Sequence, residues 1–432
     1  MDVDLMSKRR LPPTPLETGT PEPARPKIPF VARLALMSPL LLGVAGGAWR
    51  AATKWSRVEP EWAYYRDFVF QSLAFATGPD EKLFGYLPGA KALLTPFVRT
   101  EPLGYFVFLA LSVAAIFILF DLIERCFLPP APDAAGVRRR VFRLSVCLAA
   151  PSFLALQNNQ LVSFSVCLAA AGVVLAFRNK ARTAGLTLGV AILLKSLPLP
   201  LLGLLVLTGR FRAAFYALLA VGALSFSLAS ITDGIGPAID NHIEWPHMVS
   251  EQNPLETFEM DVPRSLEANQ SPLAFATKLA VWSGFSGLAF MTQGLVFLSL
   301  GALAVATFLL RQKPETRWLL AVVWMAWLPW AAPFGRYYYI LYCAPLWCVA
   351  AADLRVKSPL LWLPLLVLPA TPLFMLGHNP AFALVSLATF AIGLGMLARL
   401  IWPTQKLRLR TAKAPAGVEP APREPGAAVA LD

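Results

Sequence analysis

In the stretch EWAYYRDFVF (61–70), Arg66 and Asp67 stand side by side, with Tyr64, Tyr65, Phe68 and Phe70 around them. A carboxylate held among aromatic rings is partly desolvated. Desolvation raises its pKa and makes it a better proton acceptor, so Asp67 is a candidate general base. The plain alternative is an ion pair with Arg66 or a helix cap.

Three further stretches carry groups suited to a polar or phosphorylated ligand. LQNNQLVSF (156–164) places four amides in a row, from Gln157 to Gln160. They offer neutral donors and acceptors for a polar head group, or simply make a polar turn. Lys195 closes an apolar run in LLKSLPLP (193–200). An ionisable residue in such a place is a functional candidate. Its ammonium either faces a lipid phosphate or snorkels outward. Arg336, in PFGRYYYILY (333–342), is the only Lys or Arg between Arg317 and Arg355. Its guanidinium suits bidentate phosphate binding, with an interfacial anchor beside Tyr337 as the alternative.

Metal chemistry is not expected. His242 and His247 flank Glu244 in HIEWPH (242–247), which is not the H-E-x-x-H spacing of zinc proteases. Cys126, Cys147, Cys167, Cys343 and Cys348 have neither ligand nor disulfide-framework spacing and read as small apolar residues. No cofactor is expected either.

These groups must be positioned by an apolar scaffold. The 432 residues are 56% hydrophobic and only 15% charged, and the mean hydropathy is +0.57. Many apolar stretches reach about 20 residues, the length that crosses roughly 30 Å of hydrocarbon. The fold class is therefore an all-α polytopic membrane protein. The alternating short segments of a membrane β-barrel are missing. Apolar segments fall at 28–49, 102–124, 141–156, 161–177, 183–194, 197–208, 213–231, 286–310, 318–334, 337–352, 359–376 and 381–402. They predict about 11–12 transmembrane or re-entrant helices.

The net charge of +12 raises the possibility of a nucleic-acid partner. Its placement argues against one, because the basic residues sit in short clusters between apolar segments, as membrane orientation requires. With a cytoplasmic N-terminus, Arg138-Arg139-Arg140, Arg178/Lys180/Arg182, Arg210/Arg212, Arg311/Lys313/Arg317 and Arg355/Lys357 all fall inside. That arrangement needs 183–194 and 197–208 to form a hairpin. One continuous span is the alternative, and it moves Arg210 and Arg212 outside. Two long loops, about 50–101 and 232–285, fall outside. The stretch PLAFATKLAVW (272–282) in the second predicts an interfacial amphipathic helix. Residues 1–27 and 404–432 read as disordered cytoplasmic tails around a membrane domain at 28–403, and no cleavable signal peptide is expected. The expected location is the plasma (inner) membrane, multi-pass, with both termini cytoplasmic.

On this topology the base, the two cations and the amides all gather at the outer face, near head-group level. That suits an enzyme taking a sugar from a phospholipid carrier. A secondary transporter or lipid flippase is the competing reading. It calls for ionisable groups near the midplane, whereas the charges here cluster at one face.

The same residues carry a family resemblance. RDFVFQSLAFATG (66–78) resembles a "DF-x-x-Y" element, and FGYLPGAKALLTPF (84–97) the "Y-x-Y-P-P" element that follows it. LQNNQLVSF resembles "GQ-x-N", with Gln157 and Asn159 in the matching places. LLKSLPLP resembles "L-K-P-x-P", and Asn269-Gln270-Ser271 an "NQS" element. In this order they resemble the integral-membrane GT-C glycosyltransferases. More narrowly, they resemble the family that includes the polyprenyl-phosphate-mannose-dependent mannosyltransferases of phosphatidylinositol-mannoside assembly. The resemblance departs at Phe70 and Gln71, where the family has Tyr, at Leu87-Pro88 in place of two prolines, at Leu156 in place of Gly, and at Arg336 and Tyr337, where histidine is frequent.

The resemblance implies a GT-C-like membrane domain whose first outer loop holds interfacial helices. It implies an inverting transfer of a sugar, mannose by default, from a polyprenyl-phosphate donor to a lipid or glycan acceptor at the outer face, without a nucleotide sugar or essential metal. Asp67 would be the catalytic base. Arg66, Lys195 and Arg336 would bind the donor phosphate. Tyr65, Tyr86, Gln157, Asn159, Asn269, Gln270 and Tyr337 would contact substrate. Membrane lipids are the remaining expected partners.

Overall fold

The computed structural model describes residues 28–57, 87–100, 102–131, 133–157, 159–251, 271–285, 287–332, 337–352 and 381–401. Among them every regular element is helical. Hydrocarbon offers no partner for backbone N–H and C=O groups, and a helix satisfies them within its own segment.

The chain opens with α1 (Phe30–Leu36) and α2 (Ser38–Arg57), which meet at a 64° bend. Pro39 accounts for the break, since it has no N–H to donate and its ring crowds the carbonyl four residues back. After α3 (Ala90–Arg99), α4 (Leu103–Leu122) runs on into a π-helical turn, Ile123–Phe127. Asp133 caps α5 (Ala134–Leu156) by accepting from the Gly136 amide at 2.6 Å. Next come α6 (Val162–Phe177), α7 (Ala181–Leu194), α8 (Leu201–Leu207), α9 (Phe211–Asp233) and α10 (Ile235–Glu251). The last helices are α11 (Pro272–Ser283), α12 (Gly287–Leu310), α13 (Arg317–Ala331), α14 (Ala344–Ala352) and α15 (Ala381–Ile401).

Small residues bring two helix pairs into close parallel contact. A Cβ on Gly43 would lie 2.3 Å from the Ala149 carbonyl oxygen, and one on Gly47 would lie 2.9 Å from Leu156 Cβ. Residue numbers rise together on α2 and α5, so those helices run the same way. The same holds for α7 and α9, where a Cβ on Gly185 would lie 2.3 Å from Tyr216 Cβ and one on Gly189 2.7 Å from Ala220 Cβ. Close backbone approach of this kind drives helix association where lipid removes the usual hydrophobic force. Indole N–H groups add interhelical bonds: Trp324 to Thr307 at 2.9 Å, Trp327 to Ser299 at 2.8 Å and Trp347 to Thr389 at 3.0 Å. Outward faces stay apolar, as with Phe215 and Leu219 on α9 and Phe290 and Leu298 on α12.

Parallel α7 and α9 require the chain to reverse between them. The 195–200 turn and α8 do this, so the hairpin holds and one continuous span is excluded. In consequence the basic clusters among the described residues lie at one end of the bundle. There Arg33 pairs with Glu124, Arg178 reaches Cys126 Sγ at 3.3 Å, Arg210 bonds Asn179, and Lys313 donates to the Leu400 carbonyl at 3.4 Å. Phe127 and Phe177 both stack edge-on against Trp318 at that end. Burial and the facing Arg317 guanidinium lower the pKa of Arg210.

Several expected boundaries move. Only Leu103–Phe127, Phe211–Asp233, Gly287–Leu310 and Ala383–Ile401 are long and apolar enough to cross a membrane among the described residues, with the α1–α2 pair as a fifth if counted as one span. The other apolar segments form shorter helices. For example, α7 has 14 residues, about 21 Å at 1.5 Å per residue. Helix α2 continues to Arg57, past the expected end at 49. The 337–352 segment is not one helix: a 3-10 turn, Tyr337–Tyr342, precedes α14, whose second residue is Pro345. Part of the expected second loop is α10, folded back along α9. Its His242 meets Ser225 eight residues short of the α9 terminus. The 272–282 stretch is helical, as α11, with Ala274, Thr277 and Ala280 buried. The 359–376 segment and both tails lie outside the described residues.

Candidate functional site

At the end of the bundle opposite the arginines, three turns converge. The first is 157–161. Helix α5 ends at Leu156, and Asn159 takes a left-handed conformation (φ 50°), which asparagine tolerates better than most residues. The Asn159 amide bonds back to the Leu156 carbonyl at 2.8 Å. This tight reversal turns Gln157, Asn159 and Gln160 into the protein, where they are 0%, 2% and 1% exposed. The Asn159 side-chain amide donates to the Tyr105 carbonyl at 3.4 Å, and the Tyr105 hydroxyl donates to the Ala51 carbonyl at 3.1 Å.

Lys195 belongs to the second turn. It leaves α7 in an extended conformation, with its own amide bonded to the Ala191 carbonyl at 3.1 Å. The side chain does not snorkel to solvent. It is 6% exposed, and Nζ lies 4.6 Å from the ring centre of Tyr339 and 5.2 Å from that of Tyr338. Such a cation–π contact partly replaces the hydration lost on burial.

Those tyrosines belong to the third turn, the 3-10 segment Tyr337–Tyr342. It is pinned one turn deeper, where Tyr342 Oη lies 2.7 Å from Ser165 Oγ and Ser165 donates to the Ala191 carbonyl at 3.1 Å. Helices α6 and α7 and the 3-10 turn therefore meet directly beneath Lys195.

The described part of the first long loop docks alongside. Leu87 to Ala90 are buried, and the Gly89 amide donates to Ser225 Oγ at 3.2 Å. In register along parallel α7 and α9, Ser225 stands at the level of Lys195.

Of the residues selected from sequence, Gln157, Asn159, Lys195 and the turn begun by Tyr337 thus share one end of the bundle. Tyr65, Arg66, Asp67, Tyr86, Asn269, Gln270 and Arg336 lie outside the described residues. Sequence reasoning gave Gln160 a part only within the run of four amides, and singled out no binding role for Ser163, Tyr338 or Tyr339. The signal for Gln160 was present in the run of four amides, but the motif drew attention to 157 and 159.

Among the described residues no group of three His, Cys, Asp or Glu side chains has the proximity to hold a metal ion. His242 is held by Ser225 at 2.8 Å through Nε2 and by the Ala238 carbonyl at 2.6 Å through Nδ1.

No curated protein and no solved structure matches the chain. A family model does match, over residues 84–333, which is more than half the sequence and takes in two of the three converging turns, those at 157–161 and 195–200. A buried cation, a patch of amides and an all-helical membrane scaffold agree with that match, and a transferase reading replaces the transporter one: the chain belongs to glycosyltransferase family 87.

Proposed function

We propose that this glycosyltransferase moves a sugar, mannose first among candidates, from a polyprenyl-phosphate carrier to a hydroxyl of a lipid or glycan acceptor, at the outer face of the plasma membrane. The observation that carries the proposal is Lys195. A fixed ammonium, buried against Tyr338 and Tyr339 at the end opposite the arginine clusters, suits an anionic group entering from the outer head-group region. By the positive-inside rule the arginine end is cytoplasmic, as are both termini.

In the proposed reaction the acceptor oxygen attacks the anomeric carbon from the face opposite the phosphate. The bond from that carbon to the phosphate oxygen breaks, and its electron pair leaves with the lipid phosphate. The configuration inverts. Asp67 takes the acceptor hydroxyl proton, while Lys195, Arg66 and Arg336 balance the charge gathering on the phosphate. Tyr65, Tyr86, Gln157, Asn159, Asn269, Gln270 and Tyr337 contact the sugar and acceptor.

The test is transfer in reconstituted liposomes, with radiolabelled polyprenyl-phosphate mannose and host lipid extract. Wild type should form labelled product, and Asp67→Ala should lose at least about a hundredfold, as expected on removing a general base. Full activity in a folded Asp67→Ala variant would remove the base assignment. No transfer by wild type from mannose, glucose or arabinose carriers would remove the donor assignment.

A further inference from the structure

The polar side chains at the amide end divide into two sets. Ser165, Tyr342, Tyr105 and the Asn159 amide nitrogen are hydrogen-bonded within the protein. The other set has no partner among the described residues. It comprises both amide atoms of Gln157, both of Gln160, Asn159 Oδ1, and the hydroxyls of Ser152 and Ser163. Ser230 and Trp245 aside, every buried orphan among the described residues thus falls between 152 and 163. Gln157, Gln160 and Ser163 are at most 1% exposed. Native proteins rarely leave buried polar groups unmet, and a concentration of them in one turn calls for an explanation such as a ligand.

We infer that Gln157, Gln160 and Ser163 form a subsite for two neighbouring hydroxyls of a sugar ring. The inference rests on the donor reading above and adds Gln160 and Ser163 to it. The chemistry discriminates between possible ligands. A carboxamide presents an acceptor oxygen beside a donor nitrogen. A phosphate only accepts hydrogen bonds, so it would leave both glutamine oxygens unmet. A hydroxyl both donates and accepts, so a vicinal pair of hydroxyls meets both atoms of one carboxamide together. The division of labour follows: phosphate to the Lys195 ammonium, sugar hydroxyls to the neutral amides. Ser165, bonded to the carbonyl one turn before Lys195, shows that helix α6 brings the amide turn and Lys195 to the same end.

The test uses the full-length protein and the Gln160→Met variant, which conserves volume and removes the orphaned amide. Thermal unfolding of the ligand-free protein in detergent is the first readout. If the amide serves a ligand, Tm rises in the variant while transfer from polyprenyl-phosphate mannose falls by about tenfold or more. The second readout is wild-type transfer from the 2-, 3-, 4- and 6-deoxy mannosyl carriers. Two adjacent ring positions should each lose about tenfold or more, and Gln160→Met should flatten that discrimination. A fall in Tm would overturn the inference, because the amide would then be bonded within the protein or to fixed water. A rise in Tm with wild-type transfer would overturn it as well. Should wild type use no polyprenyl-phosphate donor, the donor reading fails on its own. A rise in Tm then shows an amide unmet within the protein but overturns its assignment to this donor's sugar, and a fall removes the subsite altogether.

Discussion

Gly89 and Ser225, separated by 136 residues, are joined where the Gly89 amide meets Ser225 Oγ at 3.2 Å. His242 Nε2 lies 2.8 Å from the same hydroxyl, and His242 Nδ1 lies 2.6 Å from the Ala238 carbonyl. The Ala238 carbonyl can only accept, so Nδ1–H donates to it, and the Gly89 amide donates to the Ser225 hydroxyl that Nε2 meets. This chain of bonds ties the end of the first long loop to α9 and α10, beside the end of the bundle that holds Lys195.

The docking leaves no room at Gly89. A Cβ there would lie 2.5 Å from both Ser225 Cα and the Ser225 carbonyl oxygen, and backbone atoms of a helix cannot give way. Gly89→Val is therefore expected to destabilise by about 1–3 kcal/mol, as overpacking does. Ser225→Ala removes hydrogen bonds without a clash and should cost about 1 kcal/mol. Thermal unfolding in detergent gives the order. An unchanged Tm in Gly89→Val would mean that the 87–90 turn does not dock on α9.

The Ser165–Tyr342 contact predicts an asymmetry. Tyr342→Phe removes one donor, yet Ser165 keeps its bond to the Ala191 carbonyl. The loss should be about 0.6 kcal/mol, typical for side-chain bonds in membrane bundles. Ser165→Ala instead strands the fully buried Tyr342 hydroxyl, at about 1–3 kcal/mol. The double variant should then be less damaged than the sum of the singles. Equal losses in the two single variants, adding without coupling, would show that the bond does not stabilise the fold.

What could be read from sequence divides along physical lines. Apolar runs with sharp polar ends became helices within a few residues of expectation, as in Val162–Phe177, Ala181–Leu194 and Gly287–Leu310. Hydrocarbon thickness and backbone satisfaction constrain such segments strongly. Positive-inside reasoning found the hairpin after Lys195, because a single span would have separated the arginine clusters that the structure brings together. Helix α10 was hidden, since IGPAIDNHIEWPHMVSE mixes charge, proline and apolar residues and owes its place to the Ser225–His242 contact. The 64° bend was visible only as Pro39. At the site, the position of Lys195 was legible, but its burial was not. The rings that cover it come from Tyr338 and Tyr339, a contact no local spacing encodes.

Lys195 gives the sharpest test of the proposed chemistry. Its ammonium is buried, and it sits over two tyrosine rings rather than in water. A charge so placed strengthens any interaction with a departing phosphate, because the surroundings are poorly screening. Lys195→Met should therefore lower kcat by about 10²–10³-fold while the protein still folds, since methionine fills the same space without a charge to bury. The rings make a second distinction. Tyr339→Phe keeps the aromatic face beneath the ammonium and should retain most activity, whereas Tyr339→Leu removes that face and should lower it. Steady-state transfer assays on the folded variants would separate these effects. If Lys195→Met changes KM alone, the lysine binds the donor equally in the ground and transition states. If it changes neither, the buried ammonium is structural, and another cation must balance the leaving phosphate.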